Sequence, residues 1–129
     1  MMSKKLCKQY LDALNEGNLE KILSLFAPDA VVVSPLYGEI LATTFYTDLF
    51  ADTNRSETKL LNIFDSVGDN SSVALHFHYS WTLKNGKVVN FECVDIIEIT
   101  PDTKKINKLE IIYDTAPLRA DFNESKFSS

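Results

Sequence analysis

Apolar residues recur at spacings of three and four through residues 3–16, where Leu6, Tyr10, Ala13 and Leu14 form one stripe with Cys7 and Leu11 beside it. That period predicts an amphipathic helix stopped by Gly17. Asn18 is placed to cap a second helix whose buried face is Leu19, Ile22, Leu23 and Phe26, ended by Pro28. Val31, Val32 and Val33 read as a short strand running into the turn Ser34-Pro35-Leu36-Tyr37-Gly38. Leu41, Phe45, Leu49 and Phe50 predict a third helix over 41–51. Beyond it the period shortens to two, giving strands over 58–65, 72–83, 87–99 and 106–114, with turns at Asn85-Gly86 and Pro101-Asp102-Thr103. From about Arg119 the chain is polar, with only Phe122 and Phe127 able to dock. Three helices followed by a meander predict a single α+β domain over 1–129, its core about 3–117 and its polar tail about 119–129.

The Asn85-Gly86 pair is a strong hairpin signal, because both central residues of a type I′ turn need φ > 0. A two-residue turn there pairs Lys84 with Lys87 and sets every pair beyond. One face then carries Thr82 with Val89, Ser80 with Phe91, His78 with Cys93, and His76 with Asp95. The other carries Leu83, Trp81, Tyr79, Phe77 and Leu75 opposite Val88, Asn90, Glu92, Val94 and Ile96. In this register both histidines share a face with Asp95, opposed side chains lying about 4.5–5.5 Å apart at Cβ. A bulge in the turn would flip one strand's side chains to the other face.

Asp95 is flanked by Phe91, Cys93, Ile97 and Ile99. A carboxyl group in such company needs a partner or a function. The structural alternative is a His76–Asp95 hydrogen bond; the functional one is a site in which His76 or His78 moves a proton. The face with Phe77, Tyr79 and Trp81 is too apolar to be left in water. Either a second copy covers it, making a homodimer, or it is the inner wall, which puts both histidines outside. Leu109, Ile111 and Tyr113 on the last strand, with Phe91 and Ile97, suit a mostly apolar small molecule with few polar anchors.

At 129 residues, with 45% apolar and 24% charged side chains, the chain can hold a core without metal or disulfide help. A net charge of −5 and the absence of a basic stripe argue against nucleic-acid and anionic-membrane partners. Cys7 and Cys93 match no zinc or redox spacing. His76 and His78 with one carboxylate suit a hydrogen-bonded pair better than a metal, so neither metal nor cofactor is expected. Lys8, Gln9 and Asp12 interrupt any leader-like apolar run near the start, and no apolar run approaches the ~20 residues that span a bilayer. The expected location is cytoplasmic, with free thiols.

Tyr10-Leu11-Asp12-Ala13-Leu14-Asn15-Glu16-Gly17-Asn18-Leu19, then Leu25-Phe26-Ala27-Pro28-Asp29-Ala30-Val31, Pro35 and Gly38, resemble the opening of SnoaL-like and ketosteroid isomerase-like proteins. Val94-Asp95-Ile96-Ile97-Glu98 and Ile111-Ile112-Tyr113-Asp114 fit the same nuclear transport factor 2-like superfamily, and the resemblance runs over nearly all of 3–117. It implies a cone of three N-terminal helices on a strongly curved antiparallel sheet, enclosing a pocket. It places Tyr10 where ketosteroid isomerase has its tyrosine donor and Asp95 where that enzyme has its protonated acid. The base of that enzyme falls at Ser34, whose hydroxyl is no base at neutral pH without activation. In the similar limonene epoxide hydrolase an arginine precedes the strand aspartate by two residues; here that residue is Cys93.

Three functions follow as expectations. The first is isomerase- or cyclase-type chemistry on an apolar carbonyl compound, with Tyr10 and Asp95 stabilising an oxyanion and His76 or His78 moving the proton. The second is binding of a hydrophobic ligand without turnover, and the third a dimeric interaction module. Ser34, Tyr37, Phe91, Cys93, Ile97, Leu109, Ile111 and Tyr113 are the expected ligand contacts, with Asp114 either at the mouth or a solvated strand end.

Overall fold

The computed structural model describes residues 2–68 and 72–127. Helix α1 (Met2–Glu16) ends as its glycine predicts: Gly17 takes φ 62°, its N–H reaches Leu14 O, and the Asn18 N–H reaches Ala13 O. These two bonds satisfy carbonyls that the helix end would otherwise strand. Asn18 then caps the short α2 (Leu19–Leu23), its Oδ1 accepting from the Lys21 N–H at 3.0 Å. Phe26 lies outside α2, at the start of strand β1 (Phe26–Ser34). A short β2 (Gly38–Leu41) pairs back on β1, and α3 (Ala42–Ala51) follows. The meander is β3 (Thr53–Asp65), β4 (Ser72–Leu83), β5 (Val88–Ile99) and β6 (Ile106–Ile112).

The six strands order as β2-β1-β6-β5-β4-β3. All neighbours are antiparallel except β1 and β6, which run parallel, so the sheet is mixed and not wholly antiparallel. Three of the strand pairs carry β3, β5 or β1 through register shifts, near Leu60–Asn62, Glu98–Ile99 and Phe26–Val31. Such irregularities bend and twist strands, which suits a curved, unclosed sheet. A fourth helix, α4 (Arg119–Phe127), forms within the stretch expected to be a polar tail. Phe122 docks, whereas Phe127 stays 76% exposed.

The β4–β5 register differs from the expected one by one residue. His76 stands opposite Val94, Phe77 opposite Cys93, His78 opposite Glu92, and Leu75 opposite Asp95. The cause is the turn. Gly86 N–H bonds Leu83 O at 2.8 Å, Leu83 N–H bonds Lys87 O at 2.8 Å, and Gly86 alone of the loop residues has positive φ, 94°. This is a three-residue loop closed by a glycine bulge, not the two-residue type I′ turn. The extra residue leaves Phe77, Tyr79 and Trp81 facing inward with Cys93 and Asp95, and turns both histidines outward.

That corrects the expected dimer surface as well. Phe77, Tyr79 and Trp81 are buried by the chain's own helices and strands, so they cannot pair with a second copy. They are the inner wall. Cys7, Tyr10, Ala13 and Leu14 of α1 and Phe45, Tyr46 and Leu49 of α3 close over it. Among the described residues no helix is long and apolar enough to cross a membrane.

Candidate functional site

Between sheet and helices lies a cavity of about 40 Å3, lined by fourteen residues. Half of its lining residues carry a polar group. Tyr10 comes from α1, Asp95 and Cys93 from β5, Ser34 from the end of β1, and Tyr37, Tyr79 and Tyr113 from the turn, β4 and the chain just after β6. The rest is apolar and largely aromatic, with Phe45, Phe77, Trp81 and Phe91 among the walls. Tyr79 stacks on Trp81 at 6.0 Å, and Phe91 on Tyr113 at 4.5 Å.

Asp95 is 1% exposed. Burial drives its carboxyl well above the ordinary carboxylate range, and a hydrogen bond with the Tyr10 hydroxyl pulls the other way. Desolvation disfavours the charged form, so burial favours the neutral acid over the carboxylate. Among the described residues its Oδ1 has no hydrogen-bond partner. A buried orphan oxygen is uncommon in native proteins and is a natural place for a water or ligand atom.

Tyr10 is tied in turn to Tyr46, hydroxyl to hydroxyl at 2.7 Å, both side chains buried. Burial pushes both phenols well above their ordinary range, so each carries its proton. Tyr46, Tyr10 and Asp95 therefore form a short protic chain at one end of the cavity. Tyr46 was not among the expected site residues. Its signal was present: Ala42, Phe45, Tyr46 and Leu49 follow the spacing of one buried helix face.

Ser34 lines the cavity, but its Oγ accepts from the backbone N–H groups of Leu36 and Tyr37 at 3.2 and 3.3 Å. The hydroxyl is occupied as a turn anchor. Tyr37 donates to Asp52 Oδ2 at 2.6 Å, and Tyr79 shares a 2.7 Å hydrogen bond with Ser56. Burial raises the Cys93 thiol and pushes Cys7 up to about 11. Both thiols stay protonated at neutral pH, which removes them as nucleophiles.

Of the expected ligand contacts, Ser34, Tyr37, Phe91, Cys93, Ile111 and Tyr113 line the cavity; Ile97 and Leu109 are buried in the core without lining it. Tyr10 and Asp95 come together there. His76 and His78 do not join them: His76 bonds Asn62 Nδ2 through Nδ1 and Glu92 Oε1 through Nε2, on the outer face of the sheet. The His76–Asp95 partnership is replaced by a His76–Glu92 pair on the outer face, where the one-residue shift sets His76 opposite Val94 and diagonal to Glu92. Asp114 is exposed and its Oδ1 accepts from the Ala116 N–H, the solvated strand end. Among the described residues no three His, Cys, Asp or Glu side chains gather as a metal site.

Solved structures share this architecture at low sequence identity. A protein with a ketosteroid isomerase-like fold from Catenulispora acidiphila, in complex with trimethylamine, superposes with a TM-score of 0.79 at 11% identity, covering 98% of this chain and 99% of its own. TerC, co-crystallised with polyporic acid, gives 0.77 at 16%, covering 95% and 99%. A SnoaL-like protein of unknown function from Burkholderia thailandensis gives 0.67 at 16%, covering 88% and 94%. No curated protein matches the sequence. The model of the SnoaL-like domain matches residues 7–108, a span holding Tyr10, Tyr46 and Asp95. The chain belongs to the SnoaL-like domain family.

Proposed function

We propose that this chain binds a small, mostly apolar molecule inside the cone and holds one oxygen of that molecule between Tyr10 and the neutral acid of Asp95. The observation that carries this reading is the orphaned, desolvated carboxyl group of Asp95 beside a phenol at the end of an aromatic chamber. With Tyr46 donating to Tyr10, a ligand oxygen that replaces the Tyr10–Asp95 bond meets two O–H donors, which favour a ligand whose charge sits on that oxygen. Where the ligand is a ketone, the same pair stabilises its enolate, the electrostatic half of an isomerase- or cyclase-type reaction. The other half is lacking: apart from Asp95, no carboxylate or imidazole lines the cavity among the described residues. Binding is therefore placed ahead of turnover.

Calorimetry with 2-naphthol and 2-methylnaphthalene separates the polar anchor from simple greasiness. Naphthol is expected to bind about tenfold tighter, the worth of one hydrogen bond at about 1.4 kcal/mol. Tyr10→Phe and Asp95→Leu should erase the preference, and Asp95→Asn, which keeps a donor, should retain part of it. Equal affinity for the two compounds would remove Tyr10 and Asp95 from the binding account.

The trimethylamine held by the Catenulispora acidiphila protein favours a second reading, a small organic cation. The rings of Tyr37, Tyr79, Trp81, Phe91 and Tyr113 around one carboxyl group suit such a guest. This guest needs Asp95 ionised, so tetramethylammonium should bind better as pH rises and release a proton. Naphthol should show the opposite trend.

A further inference from the structure

We propose that α4 is a lid over the ligand chamber, with Phe122 as its plug and the Tyr37–Asp52–Lys126 cluster as its latch. The inference rests on the chamber being a ligand site, but not on the chemistry of Tyr10 and Asp95. Phe122 is buried, and its ring lies 5.6 Å from Tyr37 and 5.6 Å from Trp81, two rings that themselves line the cavity. One carboxylate oxygen joins wall to helix: Asp52 Oδ2 accepts from the Tyr37 hydroxyl at 2.6 Å and from Lys126 Nζ at 2.8 Å. The Lys126 ammonium also lies 5.3 Å from the Tyr37 ring centre and 5.9 Å from that of Phe122.

The remaining ties are peripheral and polar. Ser125 Oγ accepts from the Asn85 N–H at the hairpin tip, Lys84 Nζ donates to Lys126 O, and Arg119 Nη2 donates to Pro35 O. Within α4 itself only Phe122 and Ser125 are buried. A nine-residue helix has little stability alone, so α4 keeps its place through Phe122, Ser125, the latch and these polar ties, with Leu118 buried just before it. Elements held by few buried contacts open locally at free energies well below global unfolding. An opening is also what the chamber needs. Its 40 Å3 holds about one water, far short of an aromatic ligand. Lifting Phe122 frees Tyr37 and Trp81 to swing outward, and the chamber widens at that end.

Trp81 is the single tryptophan of the chain and sits under the lid, so its emission reports the opening without any ligand. Acrylamide quenching is measured on the full chain, on Lys126→Ala and on Phe122→Ala, with far-UV circular dichroism as the check on folding. Lys126→Ala changes a partly exposed residue and keeps the core, and its quenching constant is expected to rise about fivefold. Phe122→Ala should raise it further. In the wild-type chain the amides of α4 should exchange with solvent ahead of those of α1. Quenching unchanged in folded Lys126→Ala, or α4 amides exchanging only with global unfolding, overturns the lid. Should naphthol fail to prefer the wild-type pocket while quenching rises as stated, the binding account falls and the lid stands.

Discussion

Asp95→Asn is expected to gain stability over the wild-type chain as pH rises from about 4, by about 1.4 kcal/mol for each pH unit in which the native acid stays protonated. The reason is linkage. Asp95 is raised by burial in the folded chain and is an ordinary aspartate in the unfolded one. Its contribution is fully present below the unfolded value of about 3.9 and is lost as pH rises towards the folded value, because only the unfolded chain then gives up the proton. Asparagine does not titrate, so the difference between the two proteins isolates this one group. Urea unfolding of both at pH 4, 5, 6 and 7 measures it. A difference that stays flat would mean that Asp95 is ionised in the native state. A site that costs stability in this way is what a binding or catalytic role leaves behind.

Trp81→Ala should cost about 3–5 kcal/mol, whereas His78→Ala should stay within about 0.5 kcal/mol. Trp81 is buried, stacks on Tyr79, meets Phe91 and Phe122, and donates from Nε1 to Thr53 Oγ1 at 2.8 Å. Truncation removes all of this and leaves a hole beside an existing cavity. His78 stands on the outer face, opposite Glu92 and Lys59. The pair of variants reads which face of β4 is buried, because a chain with the histidine face as its inner wall would put His78 inside and Trp81 outside. Denaturant midpoints followed by far-UV circular dichroism, which needs no tryptophan, report both. Comparable losses in the two variants would refute the aromatic inner wall.

The helices were legible because their signals are local. Gly17 ends α1, Asn18 caps α2, and the stripe through Leu6, Tyr10, Ala13 and Leu14 buries as its spacing implies. The long strands were legible from their alternation, and Asp95 from its apolar neighbours. The faces of β4 were not settled, because Lys84-Asn85-Gly86 is compatible with either turn and the two differ by one residue in pairing. The aromatic run could then be read as an outer or an inner wall, and only the tertiary packing of α1 and α3 decides. The parallel β1–β6 pairing is a contact between distant segments and carries no local sign. Helix α4 was hidden by polarity. Leu118, Phe122 and Ser125 bury at helical spacing, yet three positions among charged neighbours fall below what a periodic pattern needs.

Side-chain 13C NMR of Asp95, followed from pH 4 to pH 8, tests most directly the proposal that the acid at the floor of the chamber keeps its proton. The carboxyl carbon should keep the shift of a carboxylic acid through the range in which exposed aspartates ionise, and Tyr10→Phe should leave it protonated. A titration midpoint near 3.9, the value of an unburied aspartate, would contradict the account.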